Sequence, residues 1–224
     1  MLLKWSSGPV ASWTFEDRSR RIVHADRAAA QELVDLCEAV ARIVEEFELL
    51  HPQEAVLGWI ARETVAPPTV LRLEGAETIR SSCRAAFDQH ECGQEFPGVT
   101  SIEVFGNGTA IDEVGKRRTV TDLTWLHATT LLHHSVSLST RADVWLPYTL
   151  DGRPQAKTAE YNAPRLESAL RAVADRLHLA ARPSETSYAF NGGYRLHNLT
   201  DQDGCVIDVT YGRDLVEPEE REDP

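Results

Sequence analysis

By residue type, His133 and His134 are the groups in this 224-residue chain best suited to moving a proton or holding a metal. They stand at the head of the stretch Leu131 to Leu150, LLHHSVSLSTRADVWLPYTL, whose even positions are mostly apolar and whose odd positions carry Ser135, Ser137, Ser139, Arg141, Asp143 and Trp145. Alternation of that length predicts a strand with one face on a core and one facing outward. Neighbouring strand residues point to opposite faces, so the two imidazoles cannot chelate one ion in regular β geometry. His134 is expected inside, where burial disfavours the charged imidazole unless an acid partners it. His133 is expected outside, in a row with Ser135, Ser137, Arg141, Asp143 and Trp145. Trp and Arg are enriched in binding hot spots. That row is the candidate binding face.

The other chemistry-bearing groups read as structure. Gly106 and Gly108 follow a strand-like segment, but Ile111 stands where a dinucleotide loop needs a third glycine, and no helix start follows. This Gly-Asn-Gly is expected to turn a hairpin. Asp201, Asp203 and Gly204 have the flavour of a calcium loop without its remaining ligands, and are expected to form a turn. Cys83, His90 and Cys92 are zinc-type ligands at a spacing no common zinc module uses. No G-x-S-x-G elbow is present for a hydrolase nucleophile. No metal and no cofactor is expected.

These groups need a scaffold, and the chain has the composition for one. It is 42% hydrophobic and 26% charged, ordinary for a globular protein rather than a disordered one. Its net charge of −12 argues against a large nucleic-acid surface, which would need cations to neutralise phosphates. No run of about 18 apolar residues predicts a membrane span. The start, Met1 to Trp13, is too weakly apolar for an export signal, so the expected compartment is the cytoplasm and the cysteines are expected reduced.

From Asp26, a good N-cap, Leu33, Leu36, Cys37, Val40, Ile43, Val44, Phe47 and Leu50 form one apolar stripe and predict a long helix. If Phe47 packs in the core, Phe47→Ala should cost about 3–5 kcal/mol. His51-Pro52 ends that helix. Gln53 to Arg62 is expected to form a shorter helix, and Ala76 to Gln89 another. Beyond Thr100 the period switches to two, except for a helix expected after a cap at Asn162. Leu2 to Trp5 is a possible strand.

The resulting expectation is one α+β domain over 1–216, helix-rich in 1–98 and strand-rich in 99–216, with a mainly antiparallel sheet and helices packed on one face. Residues 217–224 are expected to form a disordered acidic tail. The expected function is a non-enzymatic protein that recognises another protein, as an accessory, an inhibitor or an immunity-like protein does, through the outward sheet face. The alternative is a small-molecule enzyme or ligand-binder with a pocket between sheet and helices, using His133 or His134. Sequence fixes neither the oligomeric state nor the partner.

Overall fold

The computed structural model describes residues 9–19, 21–22, 26–61, 64–74, 77–90, 98–130, 132–184 and 189–210. The expected strand at Leu2 to Trp5 and the acidic tail lie outside them.

The chain is α+β, with a mainly antiparallel sheet and three helices. In order the elements are β1 (Ala11–Asp17), α1 (Arg27–Glu46), β2 (His51–Ala61), β3 (Thr64–Arg72), α2 (Ile79–His90), β4 (Gly98–Ile111), β5 (Arg117–Thr121), β6 (Thr124–Thr130), β7 (His134–Thr140), α3 (Ala156–Leu177), β8 (Ala181–Pro183), β9 (Ala189–Gly192) and β10 (Arg195–Asn198). Eight strands make one sheet in the order β3-β2-β4-β6-β7-β1-β8, with β5 pairing the far end of β4. β9 and β10 form a separate hairpin.

α1 is the helix its sequence predicts. Asp26 accepts a hydrogen bond from the Ala29 backbone N–H at 2.9 Å, and Leu33, Val34, Cys37, Val40, Ile43 and Val44 are buried. That stripe lies on β7, β4 and β6. Phe47 is the exception: it is the C-cap and only half-buried, so its truncation should cost less than the range for a core aromatic. α2 buries Ile79, Cys83, Ala86 and Phe87 as expected, with Phe87 edge-on to Trp59 at 5.8 Å. The N-terminus of α2 is capped from α1: the Glu38 carboxylate, almost fully buried, accepts the Arg80 backbone N–H at 2.7 Å and pairs with Arg42.

Three expectations fail. The helix expected over Gln53 to Arg62 is a strand over its described residues: β2 runs through His51–Ala61 and pairs β3 in antiparallel register. The Gly-Asn-Gly is not a turn, because β4 runs straight through it for 14 residues. A Cβ at Gly106 would lie 2.0 Å from the His51 carbonyl oxygen, and one at Gly108 would lie 2.4 Å from that of Leu49. These glycines let the α1–β2 connection cross against the strand. Asn162 is no cap. α3 begins at Ala156, and Asn162 lies inside it, fully buried. Its amide accepts from the Ile111 N–H at 2.9 Å and donates to the Ile111 carbonyl at 2.7 Å, as a strand neighbour would.

The β4–β5 turn is organised by Asp112, whose carboxylate accepts backbone N–H groups of Lys116 at 2.8 Å and Val114 at 3.1 Å and the Arg118 guanidinium at 3.0 Å. Burial works against ionisation here, but the Lys116 N–H, Arg118 and the Val114 N–H outweigh it and hold the carboxyl below its usual range. A depressed carboxylate stabilises the fold above its ordinary pKa and stops doing so as pH falls through the folded value. Asp112→Asn should therefore lower the urea midpoint at pH 7, and the gap from wild type should close below about pH 4. An unchanged gap at pH 3 would mean that the charge of Asp112 is irrelevant to the turn.

Candidate functional site: the outward sheet face

In β7 the even positions face α1, as the alternation predicts. His134 is 6% exposed, and Val136 and Leu138 are fully buried. The His134 Nδ1 lies 2.8 Å from the Thr130 hydroxyl, and its Nε2 lies 3.5 Å from the Glu32 carboxylate on α1. His134 is thus a hydrogen-bonded core-face histidine. His133 precedes the strand, half-buried, near Glu16 and Asp17, whose carboxyls are held below their usual range chiefly by Arg18 and by the Ser19 hydrogen bonds respectively. The pair does not converge, and among the described residues no cluster of three His, Cys, Asp or Glu could hold a metal.

Antiparallel pairing aligns the outward residues in rows. One row runs Thr14, Ser137, His127, Glu103, Val56, Val70 across six strands. A second runs Glu16, Ser135, Thr129, Ser101, Gly58. A third starts Ser12, Ser139, Trp125. Ser12 and Ser139 are nearly covered, and the others are partly exposed. Hydroxyls pair across the strands: Thr14 with Ser137 at 2.8 Å, Thr129 with Ser135 at 3.0 Å, and Ser139 donating to Ser12 at 2.9 Å. Each side chain thereby has a partner that does not depend on water.

Of the expected face, Ser135, Ser137 and Arg141 are on it. Asp143 and Trp145 are not. The chain leaves the strand after Thr140 and turns under the sheet, which puts Asp143 at 0% and Trp145 at 1% exposure. The Asp143 carboxylate accepts the Leu150 N–H at 3.2 Å, and the Trp145 indole donates to the Thr140 hydroxyl at 3.0 Å. Both groups hold the 143–155 loop. Arg141 turns back over the face instead, its guanidinium 4.8 Å from the Trp125 ring centre. Close by, burial raises the Asp122 carboxyl pKa and Glu54 adds to it, while Arg141 and a Gly106 backbone hydrogen bond oppose the rise.

Trp125, His127 and Glu103 are the site residues that sequence reading missed. Their signal is the alternation Thr124, Leu126, Ala128 against Trp125, His127, Thr129, which repeats the pattern of β7 one strand earlier.

The cavity of about 540 Å³ lies elsewhere, between β3 and α2, and is lined by Val70, Leu71, Arg72, Glu77, Ser81, Ser82, Ala85, Ala86 and Gln89. A smaller one, about 260 Å³, lies beside β8 and includes Glu16, Arg18, His178 and Arg182. Neither contains His133 or His134. The two described core cysteines are unreactive: burial, with the Glu38 charge nearby, pushes the Cys83 thiol up to about 12, and burial raises Cys37 as well. Asp201 uses its carboxylate on the Asp203 and Cys205 N–H groups of its own turn, at 2.9 and 2.8 Å. No described helix is long and apolar enough to cross a membrane.

Fold and face together define an α+β protein with an antiparallel sheet backed by helices on one side only. No family model matches the chain, and no curated protein or solved structure matches it at a significant level.

Proposed function

We propose that the chain is a non-catalytic protein-binding protein, acting as an accessory or inhibitor of its partner, and that the outward sheet face is its docking surface. The observation that carries the reading is the aligned polar row through Ser137, His127 and Glu103, with Arg141 stacked on Trp125 at its border. The paired hydroxyls matter because burying a polar group costs free energy only where it loses its hydrogen bonds. A partner can dry this face without orphaning those serines and threonines. Trp125 and Arg141 supply the residue types that anchor interfaces. On the face Glu54 and Glu103 stand with Arg72 and Arg141, and Glu16 pairs with Arg18 and Arg182, so the local charge is mixed; the chain's net charge of −12 is what favours the approach of a partner with a basic surface. Neither cavity holds the histidines on which a small-molecule site was expected to rest.

The test is site-directed photo-crosslinking in extract of the native host. A photoreactive residue at Ser137 or His127 should give an adduct with one protein, and the same residue at Glu160, exposed on α3, should not. Trp125→Ala and Glu103→Arg should each abolish the adduct. Equal labelling from all three positions, or no adduct from the sheet face, would sink the reading.

A further inference from the structure

A second recognition site is built at the β3 edge, where the first row of the outward face ends at Val70. We propose that β3 and α2 form a groove that captures an extended peptide segment of a partner by adding it as a further strand to the sheet.

The backbone register is the first argument. Among the described residues β3 pairs β2 alone and ends the sheet. Leu73 donates its N–H to the Gln53 carbonyl at 2.8 Å, and Glu54 faces Arg72 one step along. In an antiparallel ladder hydrogen-bonded and non-bonded pairs alternate. Leu71 and Thr69 therefore bond to β2, while the N–H and C=O groups of Val70 and Arg72 point away from the sheet. These same residues line the cavity of about 540 Å³.

The second argument is the opposite wall. Ser81 and Ala85 are exposed, and Ser82 and Ala86 stand beside them, all on the α2 flank that faces the groove. Four small side chains leave space alongside the strand for another backbone and its inward side chains. Pro67 and Pro68 set the length of the site. They sit where the β2–β3 register shifts between Leu57 and Trp59, and proline offers no N–H. Pairing is confined to the rungs at Val70 and Arg72. The complete edge is barred to another long strand, and a short peptide is admitted.

Charge and shape specify the occupant. Arg72 is exposed and makes no ion pair within 4 Å among the described residues; Glu54 is its cross-strand neighbour on the β2 side and Glu77 lines the groove from α2, so an acidic peptide residue would complete the row on the open side of Arg72. Leu71 points to the helix side, so the peptide residue beside it, adjacent in sequence to the acid, places an apolar side chain between Leu71 and Ala86. The residue beside Val70, which is 56% exposed, is β-branched or aliphatic. The ligand is an extended tripeptide of β-branched, apolar and acidic residues, read in one chain direction or the other.

Two acetylated, amidated heptapeptides test this, Thr-Thr-Val-Leu-Asp-Thr-Thr and Thr-Thr-Asp-Leu-Val-Thr-Thr, titrated to millimolar concentration against the labelled full-length protein by NMR. One of them should shift the Val70 and Arg72 amide signals and protect both amides from hydrogen exchange. Replacing its Asp by Lys should weaken binding by roughly three- to thirtyfold, as an opposite-charge cross-strand pair becomes a like-charge one. Val70→Pro removes the outward N–H without touching the β2 ladder, and should abolish the response. Ala85→Arg, at an exposed helix position, should do so by filling the groove. Shifts that survive both variants, or no response at Val70 and Arg72 from either peptide, would overturn the proposal. Neither result bears on crosslinking at Ser137.

Discussion

Trp13→Ala should cost about 3–5 kcal/mol of unfolding free energy, as expected when a buried aromatic is truncated and its site cannot collapse. Trp13 is fully buried on the helix side of β1, and its indole N–H donates to the Gly193 carbonyl at 2.6 Å. Gly193 sits at φ +83° in the turn between β9 and β10, so one side chain fills the core and pins the hairpin to the sheet. Trp13→Phe separates these roles: it keeps most of the ring and should cost about 1 kcal/mol for the hydrogen bond. Both are read from urea titration. In Trp13→Ala the amides of 195–198 should also exchange faster than those of α1. Loss of stability without that local change would mean that the hairpin is held by other contacts.

Asn162→Ala should cost about 2–4 kcal/mol, because it leaves the Ile111 N–H and C=O without partners at the end of β4. The Asn162 amide also donates to Thr158 O at 2.7 Å, and Arg165, one turn on, donates to Thr109 O at 2.7 Å and Phe47 O at 2.8 Å. Burial lowers the Arg165 pKa, and Arg117 adds to this. Asn162→Asp keeps the acceptor and loses both donated bonds, but its carboxylate would sit beside the Arg165 guanidinium, which already donates to the Asn162 Oδ1 at 3.2 Å, so it should be less damaging than alanine. An Asn162→Ala variant as stable as wild type in urea titration would show that the pairing with Ile111 contributes little.

Sequence carried the helices and the register of β7 because their periods are unambiguous. α1 holds a 3.6-residue stripe for five turns, and His134, Val136 and Leu138 hold a two-residue one. β2 was misread because Val56, Trp59 and Ile60 fit helical spacing as well as Ala55, Leu57 and Trp59 fit a strand; tertiary pairing decides such short segments. The Gly-Asn-Gly was misread because glycine serves close approach as well as turning, and the backbone it must accommodate, at Leu49 and His51, is some 55 residues away. In the candidate face the alternation was extended too far. Val144, Trp145 and Leu146 are three consecutive apolar residues, a break in period two that marks where the chain dives beneath the sheet.

The position of β1 also bears on how the protein is made. Of the described strands this one emerges first, yet its neighbours in the sheet are β7 and β8, and the Thr14–Ser137 contact spans 123 residues. At about 5–20 residues per second of synthesis, β1 waits roughly 6–25 s before a partner strand leaves the ribosome. Through that interval Trp13 and Phe15 are apolar side chains on an unpaired strand, open to chaperones and to wrong partners alike. The sheet cannot be completed in chain order, because its first strand to appear is among the last to be seated.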